Sequence, residues 1–251
     1  MKGPPGSEDP GSAQPAAGLM RRRGERWVDA AERIGDAYGL VLLLVLTTFI
    51  LTALVPESGG WVMLPMLASG VTSVVALTSS RARPIRIRRA LVLTIVWTAL
   101  TGVAAITDQK WMFGIAFIGS TLVLGYAMGT VLGRVVTARV VSTRTLLGAI
   151  SVYASLGLLF TFLFRAAARF QGGAFFQGVV HATGTDYVFF SYTTLTTTGY
   201  GNLIPAHQAG QIFSVLEMLT GQVFLVTLVA GLVSFWRPGG RRDPAVREAE
   251  L

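Results

Sequence analysis

Residues Thr197, Thr198, Gly199, Tyr200 and Gly201 stand in a polar run, SYTTLTTTGYGNLIP over 191–205, between two long apolar segments. The chemistry open to such a run lies in its backbone. Glycine has no Cβ and reaches conformations that other residues avoid. Two glycines flanking a tyrosine therefore let the chain run extended with its carbonyls turned one way. Four such strands around an axis would stack rings of carbonyl oxygens able to replace the water shell of an ion. The other residue with evident chemical potential is Glu217, the one acid within the last apolar segment. A carboxylate inside a span is costly and is by default a functional candidate. His207 lies near the run, but it and His181 read as idle loop residues. There is no cysteine, so thiol nucleophiles, disulfides and cysteine-ligated metals are excluded. No Gly-rich nucleotide loop, metal-ligand cluster or triad-like set appears, so an enzyme is not expected, nor any cofactor.

The elements that must position this run are membrane spans. Only 14% of the 251 residues are charged and the mean hydropathy is +0.57, against about 25% charged in soluble proteins. A crossing helix needs about 20 apolar residues. Six candidates fit, at 38–55, 60–78, 90–106, 111–132, 146–164 and 212–235. Trp61, Trp111 and Trp236 lie at span ends, as interfacial anchors do. Of the 21 basic residues, all but Lys110, Arg165 and Arg169 fall in alternate connections and the two tails. The positive-inside rule then puts both termini in the cytoplasm. This placement accounts for the net charge of +8 better than nucleic-acid binding does, and no nucleic-acid partner is expected. No signal peptide is evident. Residues 1–17 read as a polar, disordered tail, and 18–36 as a solvated juxtamembrane segment or a surface amphipathic helix. No internal repeat points to a two-half transporter.

Between the fifth and sixth spans, 166–185 reads as an outer turret. Asp186 is placed to be an N-cap or first-turn acid for a short pore helix over 187–196. Together with the threonines before it and Asn-Leu-Ile-Pro after it, the run 197–201 resembles the signature of the potassium-channel superfamily. The likeness is to bacterial-type channels with six spans and one pore loop. It is motif-level over about 186–235 and only topological over 38–132.

The resemblance implies an all-α membrane protein with a re-entrant pore helix and a selectivity-filter loop, in a homotetramer. It implies potassium bound at Thr197, Thr198, Gly199 and Tyr200, with Gly201 closing the filter. The Tyr200 ring would pack outward on Phe189, Phe190 and Tyr192. Two positions depart from the common pattern. Asn202 stands where many members have Asp, and Thr193 where some have Glu, so both ends of that filter-supporting pair are uncharged. By offset, Met218, Gln222, Leu225 and Val229 would line the cavity. Gly221 is the candidate gating hinge or a packing point, with Gly231 a second candidate. Glu217 lies about 140° around the helix from Gln222. That places it behind the pore helix, bonded to Tyr192, Thr193 or Thr194; the alternative is a carboxylate facing the cavity.

A voltage sensor needs arginines three apart within its fourth span, yet 111–132 contains no Arg or Lys. Arg134, Arg139 and Arg144 are five apart and beyond the span, as an orientation signal or a surface linker helix would be. The expected organisation is a cytoplasmic N-terminus over 1–36, a sensor-like domain without gating charges over 37–133, a pore domain over 134–236 and a short cytoplasmic tail over 237–251. The expected function is passive, potassium-selective conduction across the plasma membrane (the cell inner membrane), without conventional voltage gating. The partners are potassium ions, the lipid bilayer and three further copies of the chain. The alternatives are a weakly selective cation channel and, further off, a potassium transporter subunit.

Overall fold

The computed structural model describes residues 38–56, 59–80, 82–107, 109–137 and 143–235. The expected tail, juxtamembrane segment, Trp236, Arg139 and residues 237–251 lie outside the described residues. Within them the regular structure is helical. The helices are α1 (Tyr38–Leu54), α2 (Met63–Ser79, entered through a 3-10 turn at Gly59–Val62), α3 (Pro84–Thr107), α4 (Lys110–Thr137), α5 (Thr143–Phe170), α6 (Gly184–Leu195) and α7 (Gln208–Phe235). Of two isolated bridges, Phe176 to Val179 closes a turn within the loop before α6, and Phe176 to Pro205 ties that loop to the segment after it.

Five helical stretches are long and apolar enough to cross a bilayer: Gly60–Ser79, Pro84–Thr107, Trp111–Thr137, Thr145–Phe170 and Gln208–Gly231. The apolar α1, at 17 residues, is shorter. Three expected boundaries are corrected. The third span begins at Pro84 rather than residue 90, the fourth runs on to Thr137, and the fifth reaches Phe170. In each case the added turns carry arginine, which propagates a helix well and can lay its stem along apolar neighbours. Hydropathy detects the end of the apolar stretch, not the end of the hydrogen-bonded helix. Arg165 and Arg169 are accordingly helical rather than turret or loop residues. Arg165 is buried, its guanidinium 4.3 Å above the Phe117 ring of α4, and Arg169 lies 5.5 Å from Phe113. Trp61 and Trp111 are exposed at helix ends.

The main core runs through α1 to α5 without a break. Val41 and Val45 of α1, Met66 and Leu77 of α2, Phe117 and Leu124 of α4, and Leu158 and Phe162 of α5 belong to one buried cluster. It therefore crosses the boundary expected at 133. A second, aromatic cluster joins α5, the following loop and α6 through Phe160, Phe164, Phe175, Phe176, Tyr187 and Phe190. Burying rings of this size is worth roughly 1.5–3 kcal/mol each, enough to hold a 12-residue helix that could not stand alone. The far end of α1 is tied to the same place: Thr185 Oγ1 donates to Ala53 O at 2.6 Å, and Phe49 meets the Tyr192 ring edge-on at 5.0 Å.

Candidate functional site

The local sequence dictates how α6 starts. Thr183 is its N-cap and Asp186 the third helical residue, forming a reciprocal capping box. Thr183 N donates to Asp186 Oδ2 at 2.7 Å, and Asp186 N donates to Thr183 Oγ1 at 3.4 Å. Two of the helix's orphan N–H groups are thereby satisfied. Of the two expected roles for Asp186, the first-turn acid is the one found. The helix starts at Gly184, three residues before the expected 187, because the cap lies upstream of the apolar run.

Past Leu195 the chain leaves the helix in an unusual backbone. Thr197, Gly199 and Gly201 have φ of 57°, 55° and 77°, and among the described non-glycine residues Thr197 alone has positive φ. For a β-branched residue this costs on the order of 1–3 kcal/mol. Alternation of positive and negative φ keeps a strand extended while turning successive carbonyls to one side. The anchor is a main-chain atom. Thr193 O accepts from Thr198 N at 2.8 Å and from Gly199 N at 3.1 Å. Thr193 thus supports the segment through its carbonyl, while its hydroxyl bonds back to Phe190 O. Asn202 is exposed, and no hydrogen bond joins it to Thr193 among the described residues.

Tyr200 stacks on Phe189 alone, with centroids 5.5 Å apart and planes 26° apart. Phe190 is committed to the aromatic cluster against Phe164 and Phe176. Tyr192 turns the other way, its hydroxyl donating to Ala154 O of α5 at 2.6 Å. Within one chain the expected three-ring support for Tyr200 is corrected to one ring, because Phe190 packs on Phe164 and Phe176 while Tyr192 is held by Ala154 O and Phe49.

Glu217 is fully buried where α5, α6 and α7 meet. Its partner is Ser191, not Tyr192, Thr193 or Thr194: Ser191 Oγ lies 2.5 Å from Glu217 Oε1. The same hydroxyl lies 2.7 Å from Gly157 O of α5. One side-chain contact thus joins all three helices. Glu217 Oε2 has no hydrogen-bond partner among the described residues.

On α7, Met218, Gln222 and Val229 are exposed and Leu225 is half-buried. Gln222 Nε2 donates to Thr197 Oγ1 at 3.1 Å, an interaction missed from sequence. The i to i−25 spacing gives no local cue; only the helix rotation brings the two together. Gly221 is a close-packing point. A Cβ there would collide with Leu195 O at the end of α6, whereas one at Gly231 would meet nothing within 4 Å.

Residues 196–202 are exposed throughout, with Tyr200 70% exposed. The apolar α7 is also left uncovered along Leu219, Val223 and Val226. Irregular polar backbone is tolerated at membrane depth only when buried in protein or lining water.

The family comparison falls on this same region. Residues 149–237 match a family described as "Ion channel". A curated relative, two pore potassium channel c of Oryza sativa subsp. japonica, is 33% identical over 88 residues, covering 31% of this chain and 19% of the relative. The chain therefore aligns with only about a fifth of that relative's length. No solved structure matches. The family match and the apolar helices support a multi-pass membrane protein that carries an ion-channel region.

Proposed function

We propose that four copies of this chain form a potassium-selective channel, with residues 197–201 of each supplying one strand of the filter. The observation that carries the reading is the positive φ at Thr197, Gly199 and Gly201, directly beyond the C-terminal end of a short capped helix. That helix end carries partial negative charge and favours a cation. The exposed strand and the bare face of α7 are the surfaces that three further copies would cover, and closed cyclic symmetry is the usual solution. Thr197, Thr198, Gly199 and Tyr200 would hold potassium. Met218, Gln222, Leu225 and Val229 would line the inner cavity. The six apolar helices would span the plasma membrane with both termini cytoplasmic, and α6 would be re-entrant. Residues 37–133 would form a scaffold without gating charges, and 134–236 the pore domain.

The test is a reversal potential in mixed potassium and sodium across a bilayer holding the purified protein. A value near the potassium equilibrium potential is expected. A value near zero would replace this reading with a weakly selective cation channel. The uncharged pair Thr193 and Asn202, unlinked by a hydrogen bond, is the observation that favours that second reading.

A further expectation concerns voltage. Each elementary charge moved through 100 mV contributes about 2.3 kcal/mol, and α4 has no basic residue between Trp111 and Arg134. Arg134 itself is tethered, its Nη1 donating to Ser79 O at 3.3 Å. Conductance should change little with voltage beyond rectification. A steep conductance–voltage curve equivalent to several charges per channel would contradict this.

A further inference from the structure

Well inside α2, α3 and α4, the three helices bring hydroxyls to one small cavity. Its wall includes Met66 and Ser69 of α2, Thr94 and Thr98 of α3, and Ser120 of α4. Polar atoms are exposed in that wall, and no charged side chain is among the described residues that form it. The space inside that is open to a water molecule is about 10 Å³, room for roughly one. Glycine sets the packing around it. A Cβ at Gly70 of α2 would collide with Thr94, and one at Gly119 of α4 with the Trp97 ring. Both neighbours therefore lie close against α3. The gap comes from the short side chains between two tight crossings, not from helices standing apart.

Two of the four hydroxyls are already committed. Ser69 Oγ donates to Met66 O and Thr94 Oγ1 to Ala90 O, each at 2.8 Å and each within its own helix. Both oxygens keep lone pairs that can accept. Thr98 and Ser120 differ. Each is only 7% exposed, yet neither hydroxyl has a hydrogen-bond partner among the described residues. Thr98 lies four residues beyond Thr94 and so on the same face of α3. A buried hydroxyl without a partner is costly, and hydrocarbon around a spanning helix supplies none.

We propose that this cavity binds one water molecule, held between Thr98 of α3 and Ser120 of α4. Those two hydroxyls, with the lone pairs of Ser69 and Thr94, offer the two to four partners that buried waters take. The water joins α3 to α4 well inside both helices, and such a bridge is nearly as good as a direct hydrogen bond. Conduction as proposed above uses none of these residues, so the site stands or falls apart from that reading.

The test is X-ray hydroxyl-radical footprinting of the full-length protein in nanodiscs, with side-chain oxidation read by mass spectrometry. The radicals form from water itself, so a buried side chain is oxidised readily only where water lies beside it. Met66 and Met128 are each 2% exposed, but only Met66 lines the cavity. Met66 should be oxidised several-fold faster than Met128. Thr98→Val/Ser120→Ala removes both hydroxyls with little change in packing and should bring Met66 down to the rate of Met128. Thr78→Val, at an exposed position of α2 outside the lining, should leave the Met66 rate unchanged. Equal rates for the two methionines in the unaltered protein would overturn the proposal without relying on any variant, because the cavity would then be dry. A Met66 rate that stayed high in the double variant would overturn it too, since water would then enter as the helices open rather than bind to the hydroxyls. An equal loss in Thr78→Val would do the same.

Discussion

Gly199→Ala and Gly201→Ala should each abolish selective potassium flux while the helical protein still assembles. Both glycines have positive φ, 55° and 77°. An L-residue in that region costs roughly 1–2 kcal/mol, and a fourfold assembly would meet the cost four times around one ring. The effect is one of backbone conformation, because a Cβ on either glycine meets nothing within 4 Å in a single chain. Alanine would therefore relax toward negative φ and turn a carbonyl out of line. Gly172→Ala is the control. It has no positive φ and open space around it, so it should leave flux unchanged. The measurement is potassium and sodium flux into proteoliposomes alongside the elution volume of the oligomer. Selective flux in both filter variants would sink the assignment of 197–201.

The second large effect is expected at Glu217. Its carboxylate joins α7 to Ser191 of α6, and Ser191 reaches Gly157 O of α5. Glu217→Ala removes the partner that α7 offers Ser191 and opens a void among three helices. Ser191 keeps Gly157 O as its acceptor, so the cost is that of the cavity left by a fully buried side chain, about 2–5 kcal/mol for a truncation of this size, and the melting temperature of the assembly should fall clearly. Glu217→Gln keeps the volume and brings an amide that can donate to Ser191 while Ser191 donates to Gly157 O. It should be milder. Ser191→Ala combined with Glu217→Ala should cost less than the sum of the two single changes, since residues in contact are not additive. Single-channel conductance should hardly depend on this charge. If Glu217→Gln instead cut conductance and weakened block by internal cations, with stability unchanged, the carboxylate would face the ion path rather than the helix junction.

The composition and the order of residues were enough to determine the kinds of element and their sequence along the chain. Apolar length is a local property, so the apolar helices could be read from it, five of them long enough to cross a bilayer. The glycine positions of the threonine–glycine run stand out in the sequence because a backbone with positive φ at 199 and 201 needs glycine there whatever surrounds it. The exclusion of a charged fourth span was equally local, since no arginine stands in 111–132. Tertiary structure decided everything that depends on how a helix is rotated or how far it continues. Ser191 became the partner of Glu217, Phe189 alone took Tyr200, and Gln222 met Thr197 across 25 residues. Each followed from which face of α6 or α7 the neighbouring helix covers. The uniform hydropathy of a membrane helix does not mark that face. Arg165 entered the core over Phe117, and Arg134 became part of an arginine-lined cleft. In both places the hydrogen-bonded helix ran past the end of its apolar stretch, and only the packed neighbours determined what the extra turn would touch.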